Sequence, residues 1–176
     1  MPAMTGTSPS HPHLIKVIKR PEPFASGSVS LVDLPAGAHF ANIQNTTPAA
    51  RHYTTVQASN DVHVSLNSDL VYCNHSCGPT LVFDMRKLEV RVLDDRPLRV
   101  GDALTFFYPS TEWEMEQPFD CRCGAEGGRC MGTIKGAKFL QREELTGYWL
   151  NEHIVEMLTR RITIGKESKD QSHGLS

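Results

Sequence analysis

The sequence predicts a mainly-β domain of short strands in small sheets, closed by one C-terminal α-helix. Three observations lead there. Short alternating or β-branched runs recur between Gly, Pro, Asn and Asp turn signals from residue 14 to residue 108. Four cysteines stand in two separated segments, Cys77 in one and Cys121, Cys123 and Cys130 in the other. Apolar residues at three- and four-residue spacing begin only after residue 141.

Residues 1–13 are polar and Pro-rich, and Ser, Thr, Pro and Gly there build no packed face, so a disordered tail is expected. Leu14 to Ile18 alternates as an edge strand, ended by Pro21 and Pro23. From Ala25 to Gly37 the chain reads as a tight Gly turn, a strand and a Pro-Ala-Gly turn. Residues 38–52 carry little pattern beyond a Thr-Thr-Pro turn. Tyr53–Ala58 and Val62–Leu66 form a hairpin about Ser59-Asn60-Asp61. Leu70–Cys73 leads into Asn74-His75-Ser76-Cys77. A second hairpin joins Leu81–Asp84 to Glu89–Leu93, and Gly101-Asp102 opens a strand that ends at Tyr108. From Arg142 to about Arg161, Leu145, Tyr148 or Trp149, Leu150, Ile154, Met157 and Leu158 mark one amphipathic helix, which Gly147 weakens near its start. Residues 162–176, rich in Lys, Ser and Gly, are expected to form a mobile tail.

A chain of 176 residues suffices for one domain with a real core. At 39% apolar and 22% charged residues it matches a water-soluble globular composition, and a net charge of −2 gives no field to hold nucleic acid. No apolar run approaches the roughly 20 residues of a membrane span. The first residues lack the apolar core of a signal peptide, so an intracellular reducing compartment, nucleus or cytoplasm, is expected. There five cysteines read as metal ligands and free thiols rather than disulfides.

Zn²⁺ prefers four tetrahedral ligands and accepts thiolates. Cys121 and Cys123 are close enough to grip one ion, and Gly124, Gly127 and Gly128 let Cys130 return to it. Cys77 is the candidate fourth ligand, giving one structural Zn²⁺, since four thiolates leave no position for water. The alternative is three surface thiols on a Gly-rich loop, a cluster open to oxidation. Cys73 is left over as a small buried side chain.

Three motifs together resemble a known family. Asn74-His75-Ser76-Cys77-Gly78-Pro79, Gly101-Asp102-Ala103-Leu104-Thr105-Phe106-Phe107-Tyr108, and Phe119-Asp120-Cys121-Arg122-Cys123-Gly124 with Cys130 are similar to the second half of a SET domain with its cysteine-rich post-SET tail. The resemblance implies a SET-like β-clip architecture over residues 14–118, a zinc-bound post-SET segment over 119–140 and a C-terminal helix over 141–161. It also implies an S-adenosylmethionine-dependent methyltransferase acting on a protein or peptide lysine amine. In that frame Ser26 and Gly27 cradle the cofactor, Asn74 and His75 meet its amino group and adenine, and Phe139 packs over the adenine. Tyr108 faces the methyl-transfer site as the catalytic residue. The chain departs from the family at Ala25, in place of a first glycine, and at Phe107, in place of an acidic residue common there. It also lacks the helical insert that usually follows residue 38, and Cys123 and Cys130 stand two residues farther apart than in the usual form.

Each of these residues also has a structural reading. Tyr108 suits an amphipathic core position with its hydroxyl at the rim. Asn74 and His75 suit a turn, and Phe139 suits the first apolar contact of the C-terminal helix. Tyr53 and Tyr72 are candidate pocket walls, and Trp113 a candidate cleft-mouth residue. The missing insert and the two substitutions also fit a SET-derived protein that no longer methylates protein and serves as a binding module or acts on a small molecule in a biosynthetic pathway.

Overall fold

The computed structural model describes residues 8–172, with side chains as far as Thr163. Residues 1–7 and 173–176, parts of the two expected tails, lie outside the described residues. The rest of the first tail is ordered: residues 11–14 turn ahead of β1, with the His11 N–H donating to Asp69 Oδ2 at 3.1 Å. The Asp69 N–H donates to Ser10 Oγ at 2.7 Å, so local hydrogen bonds supply what composition does not.

Five small sheets make up the body. Strand β1 (Ile15–Ile18) pairs antiparallel with β2 (Gly27–Ser30). Strand β3 (His39–Asn42) lies beside β9 (Glu89–Val92), which also pairs with β8 (Leu81–Asp84), so β9 is the centre of a three-stranded sheet. Strands β4 (Thr47–Ala49) and β5 (Thr55–Gln57) flank β6 (His63–Ser65) in another. Strand β11 (Phe119–Asp120) pairs with β12 (Thr133–Ile134) at the base of the cysteine loop. The two hairpins fall where the turn chemistry predicts them.

Strands β3 and β4 occupy the stretch that showed no pattern. The two central residues of β3, Phe40 and Ala41, are both buried and a bulge interrupts its register, so no period-2 alternation is visible. Pro48 sits in β4, an edge strand, where its missing N–H costs no ladder bond.

The pairing that organises the molecule is the parallel one. Strand β7 (Asn74–His75) lies against β10 (Thr105–Phe106), so chain segments some thirty residues apart in sequence run side by side. The Ser76 N–H donates to the Phe106 carbonyl at 3.1 Å and the Thr80 N–H to that of Thr105 at 3.1 Å. Phe83, Leu70, Leu81, Leu104 and Val90 form the dry centre beneath this pair, with Phe83 stacked on Phe106 at 4.1 Å.

One long C-terminal helix closes the chain as expected, but it begins ten residues later than Arg142, and a separate four-residue helix precedes it. Helix α1 (Arg142–Leu145) stops before Gly147, which takes φ 87°, and α2 (Glu152–Ser172) begins after an extended link. Helix α2 also runs past Arg161, into the region expected to be mobile. No helix among the described residues is long and apolar enough to cross a membrane. Ile154 is fully buried, and Leu158 packs near Phe107 and Leu140. Asn151, just ahead of α2, is buried and fully used: Oδ1 accepts from the Met85 N–H, while Nδ2 donates to the carbonyls of Phe83 and Ser110, each at 2.9 Å.

Asn151→Ala removes all three bonds and leaves the Met85 N–H without this partner. The expected loss is about 3 kcal/mol of unfolding free energy at unchanged m-value, measured by urea denaturation. An effect below about 0.5 kcal/mol would show that this side chain does not dock the helix.

Candidate functional site

Strand β7 continues into Ser76-Cys77, and the Gly-rich loop between β11 and β12 folds back over it. The sulfurs of Cys77, Cys121, Cys123 and Cys130 lie within 4.8 Å of one another. Cys77 Sγ and Cys121 Sγ are 4.0 Å apart, and all five cysteines are free thiols. A tetrahedron with metal–sulfur bonds of about 2.3 Å has edges of about 3.8 Å, so the spacing suits one thiolate-bound cation and not a disulfide. Gly124, Gly127 and Gly128 all take positive φ (63°, 68° and 71°), which lets this loop curl back to the fourth sulfur.

Donors for thiolate charge are already placed. The Met131 N–H points to Cys77 Sγ at 3.4 Å. Burial opposes the Cys123 thiolate, but N–H groups of Cys77 and Ala125, with the thiols of Cys121 and Cys130, outweigh it and bring that thiol down to about 6. Burial pushes Cys77 up to about 11, and Cys121 also rises, chiefly by burial. A metal taken up here displaces protons from those thiols.

His75 links the cluster to Tyr108. Its Nδ1 accepts the backbone N–H of Tyr108 at 3.2 Å, which leaves the ring proton on Nε2, 3.3 Å from Cys77 Sγ. Burial brings the ring down to about 4, so it is neutral at pH 7. Phe107, Tyr108 and Phe119 surround it with ring centroids at 5.4–5.7 Å. A neutral imidazole thus bridges a sulfur of the cluster and the backbone of the candidate tyrosine.

Tyr108 donates its hydroxyl proton to the Cys73 carbonyl at 3.2 Å. Burial, with the neighbouring Cys73 and Glu112, holds the phenol well above the usual tyrosine range, so it stays neutral. Cys73 is 1% exposed and burial raises its thiol to about 12, in keeping with an inert buried side chain.

Ser26, Gly27 and Asn74 meet on one side of β7. The Asn74 amide donates to the Ser26 carbonyl at 2.9 Å, leaving its oxygen as an acceptor. A Cβ on Gly27 would stand 2.9 Å from Asn74 Nδ2, so this glycine is needed for space and not for a positive φ. Ala25 adopts no positive φ either; the left-handed residue of that loop is Phe24 at 61°, so the alanine is unstrained.

The structure therefore brings Ser26, Gly27, Asn74, His75 and Tyr108 together beside the four-thiol cluster. Phe139 stands differently: it is 47% exposed and its ring faces the Lys138 ammonium at 5.5 Å. Phe107 is a core residue, stacked on Tyr148 at 3.8 Å, and Tyr148 in turn donates to the Cys77 carbonyl. The C-terminal segment is thereby fastened to the cluster.

A cavity of about 40 Å³ opens beside the Tyr108 ring, with Tyr53 and the buried Glu112 among its walls. Tyr72 is not among its lining residues, and Trp113 lies beneath the Arg161 guanidinium at 5.9 Å instead. Glu112 went unnoticed in the sequence because it sits in a Glu-rich stretch that reads as solvated. No local signal marks it, because its partner Gln57 lies fifty-five positions away.

Native mass spectrometry should find one zinc ion per chain, and none in Cys123→Ser. Losing it should lower the unfolding midpoint by about 10 °C, the shift that ~4 kcal/mol produces in a chain of this size. An unchanged midpoint in the metal-free protein would remove the cluster from the account of stability.

No family model matches the chain. Among curated proteins it is similar to the methyltransferase flvH of Aspergillus flavus, with 49% identity over 169 residues, 95% of this chain and 94% of the relative. Identity at that level runs along nearly the whole of both chains, and so the chain belongs to the same family as the methyltransferase flvH.

Proposed function

We propose that the protein is a SET-type, S-adenosylmethionine-dependent methyltransferase that methylates an amine and uses a structural zinc ion to hold its site together. The observation that carries this reading is the pairing of β7 with β10. It sets the Ser26–Gly27–Asn74 cradle, the Tyr108 phenol and the thiol cluster within one hydrogen-bonded unit. The printed name of the relative supports methyl transfer, and the three sequence motifs support the SET type.

Ser26, Gly27, Asn74 and His75 are the residues that would hold the cofactor. The acceptor oxygen of Asn74, held beside Gly27 by the bond to Ser26, suits the ammonium of its amino-acid end. S-adenosylmethionine, when bound, would supply an electrophilic methyl group on a sulfonium. Phe139, exposed beside Lys138, is proposed as an adenine contact only from the resemblance.

Tyr108 contributes position. Its proton is committed to the Cys73 carbonyl, so the phenol oxygen offers lone pairs to an amine N–H and orients the nitrogen. A phenol held neutral neither takes the amine's proton nor competes as a nucleophile. The acceptor amine is a protein lysine on the family resemblance, or a small molecule on the missing insert.

Calorimetry of the zinc-loaded protein should show one S-adenosylmethionine bound per chain. Gly27→Ala should weaken it about 5-fold by displacing the Asn74 amide from Ser26. Tyr108→Phe should keep that binding but slow methyl transfer about 100-fold. No heat of binding would end the methyltransferase reading.

A further inference from the structure

The cavity beside Tyr108 has a chemical character that narrows the acceptor. Glu112 is 8% exposed, yet its partners are mostly neutral. Its Oε1 accepts the Gln57 N–H at 2.7 Å and the Thr111 hydroxyl at 3.2 Å. Its Oε2 is 3.5 Å from His63 Nε2, a buried nitrogen that makes no hydrogen bond. Among the described residues no Lys or Arg lines the cavity, and Glu116 adds a second carboxylate to its lining. The walls include the Tyr53 and Tyr108 rings. A carboxylate in a wall shared with two tyrosines favours a cation and repels anions. The volume, about 40 Å³, holds roughly three waters, so the slot takes a narrow head group.

The border of the slot bears on whether that head group arrives on a peptide. Thr55 and Val56 of β5 line the cavity, and β5 is the outer strand of its sheet. An extended peptide binds such an edge by accepting its free N–H groups. Here the Thr55 N–H already donates to the His52 carbonyl at 3.0 Å, and the Gln57 N–H to Glu112. The opposite edge, β4, holds Pro48 and lacks that donor. At the mouth, Phe24 and Tyr53 meet edge to face at 5.3 Å while 68% and 51% exposed, an apolar rim suited to a compact ligand.

We infer that the acceptor is a small aliphatic amine, recognised as its ammonium by Glu112 between Tyr53 and Tyr108, and not a lysine within an extended peptide. This rests on the methyltransferase reading for its meaning, but binding tests it without turnover. The ammonium releases one proton to solvent before its nitrogen can accept a methyl group.

The test follows backbone amide NMR shifts of the full-length, zinc-loaded protein on titration with n-butylamine at pH 7.5, 1-butanol, butyrate and a blocked lysine-containing decapeptide. n-Butylammonium is expected to shift the amides around Tyr53, Tyr108 and Glu112, and to bind about 10-fold more tightly than 1-butanol or butyrate. Glu112→Gln, which keeps a carbonyl for the Gln57 N–H, should remove most of that preference. Tyr53→Ala, at an exposed position, should lower ammonium binding about 3-fold. The decapeptide should bind no more tightly than the free amine. Equal affinity for amine and alcohol overturns the cation slot, and tighter peptide binding with shifts spreading along Thr55–Gln57 overturns the small-molecule acceptor. A failure of S-adenosylmethionine to bind is a separate result, and leaves the outcome of the amine titration readable.

Discussion

The grip of four thiols on one point is the constraint on which the rest of the site depends. Cys77 leaves the organising strand directly after His75, while Cys121, Cys123 and Cys130 come from a loop in which none of the three is fully buried. The Gly-rich stretch of that loop has little core of its own, so packing alone does not hold it. Apparent zinc-binding free energies of about 10–16 kcal/mol in small domains exceed what such a loop recovers from packing. Once the loop is fixed, Phe119 stands against His75 and Tyr108, and Met131 donates to Cys77. His75 carries the constraint inward, because one ring nitrogen reads the cluster and the other holds the backbone of Tyr108. Tyr148 and Phe107 carry it outward to the C-terminal segment.

Much of this was legible because it depends on residue type at short range. Hairpins about Ser59-Asn60-Asp61 and Met85-Arg86-Lys87 follow from turn chemistry and alternation. The thiol set follows from ligand chemistry and the glycines that let a loop return. What escaped notice depends on long-range pairing. Strand β3 exists because β9 offers it a partner, and β4 because β6 does; neither announces itself locally. Helix α1 and helix α2 share one apolar periodicity, and the extended Thr146, the left-handed Gly147 and the link after them separate the two. Gly27, expected in a tight turn, opens β2 instead, and the structure makes it a matter of room beside Asn74. Glu112 reads as one more surface acid until Gln57, a residue fifty-five positions away, is found donating to it.

The substitutions that set this chain apart from the SET pattern have physical places in it. Ala25 avoids strain because Phe24 takes the left-handed turn instead, and that choice sends an aromatic ring to the rim beside Tyr53. Phe107 exchanges a charge for a stacking face that secures the C-terminal segment. The short link from β3 to β5 leaves a sheet whose edge donors are used internally.

Zinc K-edge X-ray absorption of the purified protein addresses the central claim most directly. The account predicts stoichiometric zinc in a shell of four sulfurs at about 2.3 Å. A shell of nitrogen or oxygen at about 2.0–2.1 Å with two sulfurs or fewer, or zinc well below one per chain, would contradict it.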